Sequence, residues 1–302
     1  MLKLRYLLLI SLSLLFLSGC SSAVYVDDGV LRTEDGEAIV GTHTGSIITE
    51  DYFDSCAHNS FGDDCYIVRK FGESDAITTG NVLPISNGET YQTPQTLTTI
   101  QVVSNNANDN IAGTGARTVK ITGLSTNWEQ VEEIVNMSGT TPVTLANQYY
   151  RIYRMAVGTS GSYATQSVSS HIGVIEATGT VGGELWARIG VNGVVLGQTE
   201  IGVYTIPKGY RAHLGNILLH NNGNKQANFY MFVRNNASDV IAPYESMRIQ
   251  FQAHGVISSL YLEPMTIGSV MYETTDIGWM ANTDTGTTEA SVNFEILLIK
   301  ND

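Results

Sequence analysis

From about residue 94 to Asp302, short apolar runs alternate with clusters of Gly, Asn, Asp and Pro. Runs of this length, broken by turn residues every 8 to 12 positions or so, predict an all-β chain folded as sandwiches or barrels. The strands expected in the first half are Thr96–Val103, Arg117–Thr122, Ile134–Met137, Tyr149–Val157, His171–Ala177 and Leu185–Ile189. Those of the second half are Thr199–Ile206, Tyr210–His220, Ala227–Val233, Met247–Gln252, Ser258–Leu262, Thr275–Met280 and Ser291–Ile299. Along Tyr149–Met155, residues Tyr150, Ile152 and Arg154 fall on one face and Tyr149, Arg151, Tyr153 and Met155 on the other, because successive strand side chains point to opposite sides of a sheet. Both faces carry apolar or aromatic groups, so both are expected to be partly covered. Asn192-Gly193 fits a two-residue hairpin, and Pro207-Lys208-Gly209 and Asn221–Asn224 mark further sharp turns. One short helix is predicted at Asn127–Glu133, with Asn127 as cap and Glu129, Glu132 and Glu133 near its positive end.

The two halves have similar length and strand number. The expected architecture is therefore two antiparallel β-sandwiches in tandem, jelly-roll-like, over residues 94–195 and 196–302. Residues 21–93 have no strong period and carry acidic pairs such as Asp27-Asp28 and Asp63-Asp64, which predicts an extended arm or linker.

The first 20 residues follow a different logic. Lys3 and Arg5 precede an apolar run from Tyr6 to Leu17, and Leu17-Ser18-Gly19-Cys20 follows. A basic start, an apolar centre and a small-residue end are the order of an export leader. The run falls short of the ~20 residues needed to span a bilayer. Its last four residues resemble the bacterial lipobox, which implies cleavage before Cys20, diacylation of that cysteine and attachment to a membrane without a spanning helix. Two cysteines then remain, Cys56 and Cys65. In an oxidising compartment a disulfide is the natural pairing, worth roughly 2 to 3 kcal/mol for so short a loop in the entropic model. A metal site from Cys56, His58, Asp63, Asp64 and Cys65 is the rival, but the spacing fits no zinc pattern.

Composition narrows the partners. Charged residues make up only 15% of the chain, and 29 acids against 16 bases give a formal charge of −13, so a phosphate backbone meets no electrostatic footprint and nucleic acid is not an expected partner. Removing the leader leaves 14 bases against 29 acids.

No candidate chemistry gains support from spacing. Gly113-Thr-Gly115-Ala-Arg117 lacks the third glycine and the following helix of a phosphate loop, and reads as a turn. His213 and His220 are an odd number of residues apart and so fall on opposite faces of a regular strand, while His171 and His254 read as turn or surface residues. Glu176 with Glu184, or Glu245 with Glu263, would be needed for a glycosidase pair. Asn105, Asn108, Asp109 and Asn110 supply oxygens for calcium, without the spacing of an EF-hand loop. No cofactor, no metal and no catalytic residue is expected. The 15 tyrosines are the composition of strands with one wet side and equally of oligomer interfaces.

Five stretches carry a family resemblance. Gly113–Trp128, Glu132-Glu-Ile-Val-Asn-Met-Ser-Gly-Thr-Thr-Pro-Val143 and Tyr150–Arg154 look like the structural proteins of tailed phages. Tyr204-Thr-Ile-Pro-Lys-Gly-Tyr-Arg-Ala-His213 resembles a turn of the same proteins, and Asp276–Leu298 resembles their last strands. The likeness spans roughly Thr96 to Asp302. It implies a virion β protein, as capsid-associated decoration or fibre, acting through contacts with other virion proteins or with its own copies. These motifs are packing and turn residues, so the resemblance implies no catalytic residues. The leader points elsewhere, to a lipid-anchored surface protein of the outer membrane that displays the sandwiches outward.

Overall fold

The computed structural model describes residues 25–27, 30–32, 56, 64–87, 91–165, 167–191, 197–262 and 270–301. The lipidation candidate Cys20, the Asn192-Gly193 hairpin, His43, His58 and Glu263 lie outside these. The chain divides into two units, Met1–Thr49 and Glu50–Asp302. In the first, β1 (Tyr25–Asp27) and β2 (Val30–Arg32) pair antiparallel with Val26 opposite Leu31.

The second unit opens with β3 (Cys65–Thr78) and β4 (Leu83–Pro84). Seven strands follow: β5 (Thr98–Ser104), β6 (Ala116–Leu124), β7 (Gln130–Asn136), β8 (Val143–Tyr149), β9 (Arg151–Ser160), β10 (Ile175–Gly179) and β11 (Leu185–Ile189). Then come β12 (Val203–Thr205), β13 (Tyr210–Asn221), β14 (Ala227–Arg234), β15 (Arg248–Val256), β16 (Ser259–Leu262), β17 (Asp276–Thr283) and β18 (Thr287–Lys300). Every strand pairing is antiparallel.

Strands β5 to β11 make one sandwich from the sheets β11-β10-β5-β8 and β7-β6-β9. Alternation sends Ile100 and Val102 of β5 inward, where they meet Val119 and Ile121 of β6, Ile152 and Met155 of β9 and Trp186 of β11. Full burial of each such aliphatic side chain contributes about 1.5 to 3 kcal/mol.

The remaining strands form a second sandwich from the sheets β16-β13-β18-β3 and β12-β17-β14-β15, with β4 pairing along the same edge of β17 as β12. Taking β4 and β12 as two halves of one strand and counting from β3, the sheets read 6-3-8-1 and 2-7-4-5. That is the two-sheet, eight-strand jelly roll. Its core packs Leu214, Leu219, Phe294 and Leu298 against Phe229, Met231 and Trp279.

The sandwiches are therefore nested, not in tandem. The chain leaves the jelly roll at Ile85, builds β5 to β11, and returns at Gly202, where Gly202 N–H donates to the Ile85 carbonyl at 2.8 Å. Both exit and return lie on the edge of β17, through Ile85 N–H to Trp279 and Trp279 N–H to Gly202. Strand β3 crosses directly over this stem at Gly72, where a Cβ would come within 2.3 Å of Gly202 N and 2.6 Å of the Ile85 carbonyl. Only glycine fits that crossing.

Two further expectations change. The arm predicted over 21–93 contains β3 and β4; fourteen residues of β3 lie along β18, from Thr78 opposite Thr287 to Cys65 opposite Ile299. Half-buried residues outnumber buried ones in that strand, which hides its apolar period. The helix predicted at Asn127–Glu133 is instead a three-residue 3-10 turn, Thr126–Trp128, followed by β7. Asn127 and Trp128 take positive φ of 64° and 63°, and this reversal sends the glutamates along a strand. Cys56 and Cys65 form a disulfide with a Cα–Cα distance of 5.8 Å, packed on Leu297 and Ile299.

Candidate functional site

The most elaborate polar centre joins the two sandwiches. Arg151 begins β9 of the inserted sandwich and Asp276 begins β17 of the jelly roll. They form a fork-to-fork pair, Nε to Oδ1 at 3.1 Å and Nη2 to Oδ2 at 3.0 Å, with both side chains 1% exposed. Thr205 donates to Asp276 Oδ1 at 2.6 Å, and Tyr91 donates to Thr205 at 2.8 Å. The guanidinium lies 5.0 Å from the Trp128 ring centre, and Trp128 stacks on Tyr150 at 4.5 Å. Burial works against the charge on Arg151, but Asp276, Tyr91 and Tyr153 together outweigh it and raise the arginine pKa above its ordinary value. With both charges buried and bonded to each other, the pair ties the two sandwiches together.

A second centre is Asp109, completely buried. Its carboxylate accepts from Ser104 Oγ at 2.6 Å and from the backbone N–H groups of Ala116 (2.8 Å), Ile172 (3.0 Å) and Gly173 (2.7 Å). It thus staples the β5–β6 loop to the β9–β10 connection at one end of the inserted sandwich. The glycine segment Gly113–Arg117 wraps around it; a Cβ on Gly115 would reach 2.0 Å from Asp109 Oδ1. Asn105, exposed in the same loop, accepts from Val174 N–H at 2.9 Å. Short polar residues mark a loop in sequence, but nothing there singles out which one is enclosed.

The other sequence candidates are dispersed. His171, expected at a surface or turn, is 1% exposed; its Nε2 donates to the Gly190 carbonyl at 2.8 Å, leaving Nδ1 to accept from Ser169. His220 meets Ser259 at 2.7 Å, and His254 meets the Tyr230 ring edge-on at 5.4 Å. His213 is held below the ordinary histidine pKa by burial and by Arg211. Glu176 faces Arg188 at 3.7 Å while Glu184 accepts from Trp186, and Glu245 meets Asn236 and Arg248. Glu133 is engaged by the N–H groups of Ala146 (2.6 Å) and Asn147 (3.1 Å), which hold its pKa down against the opposing effect of burial. Among the described residues no group of three or more His, Cys, Asp or Glu side chains is placed to hold a metal.

Two surface features remain. Strand β15 ends its sheet, with β14 on one side and no strand on the other among the described residues. The ten residues before and into it, 241–250, are all exposed, and they include Ile241 at 75%, Tyr244 at 50% and Ile249 at 47%. The second feature is a cleft of about 360 Å³ between edge strand β3 and the outer face of the β7-β6-β9 sheet. Tyr66, Tyr153 and Tyr204 line it together with Arg69, Lys70, Lys120 and Arg154, against the single carboxylate of Glu132. Burial, with Tyr210 nearby, pushes the Tyr66 phenol up to about 12, and burial raises Tyr153 and Tyr204 well above the ordinary value, so all three stay protonated donors.

No family model matches the chain, and no curated protein matches it. Among solved structures it is similar to that of infectious bursal disease virus, Gx strain, at 10% identity and a TM-score of 0.21, covering 79% of this chain and 72% of that one. The Gt strain structure gives 8% identity and a TM-score of 0.18 with the same coverage. Scores this low carry no weight for fold or function.

Proposed function

We propose that this chain is a structural subunit of a virus particle of the tailed-phage kind, acting through contacts with its own copies and with other virion proteins and not through catalysis. The observation that carries the reading is the run 241–250. Four large apolar side chains, Ile241, Tyr244, Met247 and Ile249, stand in solvent beside the open edge of β15. An uncovered apolar run next to unpaired strand N–H and C=O groups is a liability for a monomer and an asset for an assembling subunit. A second strand laid along β15 pairs those groups and buries the apolar side chains together. The jelly-roll order supports the same reading, since viral shells use it, although lectins and cupins do too. The phage-like stretches Gly113–Trp128, Tyr204–His213 and Asp276–Leu298 add the link to tailed phages.

Sedimentation of the full chain tests the assembly claim. The wild-type protein is expected to form a discrete oligomer, and Ile249→Lys, which sets a charge on the edge without touching either core, is expected to dissociate it. Unchanged sedimentation of that variant would exclude β15 as the contact. The Leu17–Cys20 motif favours a second reading, a lipid-anchored surface protein that displays the same sandwiches.

A further inference from the structure

We infer that the Asp109 end of the inserted sandwich is a self-association surface, where the β5–β6, β7–β8 and β9–β10 loops of one copy meet the same loops of a second copy. This contact is distinct from the β15 edge and does not depend on it. Charge is the first argument. The chain carries 29 acids against 16 bases, so two copies repel, and most ways of bringing them together set carboxylates against carboxylates. Residues 105–115, 138–142 and 161–174 contain a single charged side chain, Asp109, and it is completely buried. Arg117, which follows at the start of β6, is folded back, its Nε donating to the Gly113 carbonyl at 3.0 Å. The β6–β7 and β10–β11 turns at the opposite end carry Glu129 and Glu184. A second copy therefore meets least repulsion at the Asp109 end.

The surface there is also apolar and prearranged. Tyr163 is 90% exposed and Ile111 56%, and Val168 and Ile172 stand in solvent as well. Around them the loops are built mainly of Asn, Ser, Thr and Gly, which together with exposed tyrosine is the composition of recognition loops at the end of a β-sandwich. Hydroxyl and side-chain amide groups both donate and accept, so the same loop set is complementary to itself across a twofold axis. The loops are already locked to one another. Gly139 N–H donates to the Asp109 carbonyl and Gly161 N–H to the Gly115 carbonyl, each at 2.8 Å. Within the β9–β10 loop, the N–H groups of Ser167 and Val168 both donate to Thr165 Oγ1. Loops held in this way lose little further freedom on contact. Combined with the proposed β15 contact, a second isologous contact links copies alternately through the two surfaces and closes them into an oligomer of even number. That last consequence rests on the β15 reading.

Sedimentation of the full chain carrying Ile249→Lys isolates this contact, because the β15 edge is then blocked. Dissociation of that variant is expected to stop at a dimer. Adding Tyr163→Glu and Ile111→Glu is expected to weaken the dimer roughly tenfold or more, since each substitution places a carboxylate on both sides of the contact. Both positions are exposed, so the melting temperature stays close to the parent's, and Tyr163→Glu alone gives the same reading if the paired substitution disturbs the loops. Raising salt from about 0.01 to 1 M shortens the screening length from about 30 Å to about 3 Å. This is expected to tighten the dimer, because it screens the repulsion between two acidic chains and breaks no ion pair at the contact. An Ile249→Lys chain that is monomeric throughout, a dimer that loosens as salt rises, or full association of the loop variants would each overturn the assignment. Failure of the β15 reading shows separately, as an Ile249→Lys chain that sediments like the parent.

Discussion

Arg151 and Asp276 show how much one residue pair can decide. Each charge is tolerated in the interior only because the other satisfies it, and removal of one leaves an uncompensated ion. Arg151→Ala is therefore expected to cost about 3 to 5 kcal/mol in denaturant unfolding, while Arg151→Met combined with Asp276→Leu recovers most of that loss. A single-variant cost below about 1 kcal/mol would contradict the tie between sandwiches. Neither member was legible as a partner in the sequence: 125 positions separate them, and each sits in an ordinary strand pattern. Asp109 was visible only as one oxygen donor among several in its loop. Two of its four donors come from the loop at Ile172-Gly173, 63 and 64 residues away. The pairing of Cys56 with Cys65 was readable because its two members are only nine residues apart.

At the scale of elements, strands with dense buried apolar positions were legible and those with few or scattered ones were not. Leu185–Ile189 was read at its observed bounds, and Tyr210 and Ala227 were read as the starts of β13 and β14. β8 was missed because Val143–Tyr149 has only two buried positions, Leu145 and Tyr149, and β3 because buried, half-buried and exposed positions are mixed along it without a period. The Asn127–Glu133 error has a clear cause: a cap residue and following acids fit a helix start, but the positive φ at Asn127 and Trp128 turns the chain into β7. Gly72 is the most exacting single position in β3. The two nearest contacts of an added Cβ are backbone atoms of Gly202, which cannot swing aside as a side chain does. Gly72→Ala is expected to lower stability by about 1 to 3 kcal/mol, seen as a drop in melting temperature. An unchanged melting temperature would mean that β3 does not cross the stem as closely as described.

At the scale of the whole molecule, the all-β class was legible from periodicity, whereas the nesting was not. Two neighbouring sandwiches and one sandwich inserted in another produce the same run of strands and turns along the chain. What separates them is which strands pair, and here β3 and β18, at opposite ends of the described second unit, are neighbours. Insertion through a stem leaves the jelly roll continuous while presenting a second sandwich from one of its edges. For the proposed assembling subunit, that arrangement leaves the β15 edge of the jelly roll open for a neighbour's strand.

The most direct test of a virion role is the intact mass and copy number of the natively produced chain, compared between purified particles and the host membrane fraction. The account predicts an unacylated chain in the particles at a fixed number of copies. A chain that begins at diacylated Cys20, found in membranes and absent from particles, would contradict it and establish the lipid-anchored surface protein instead.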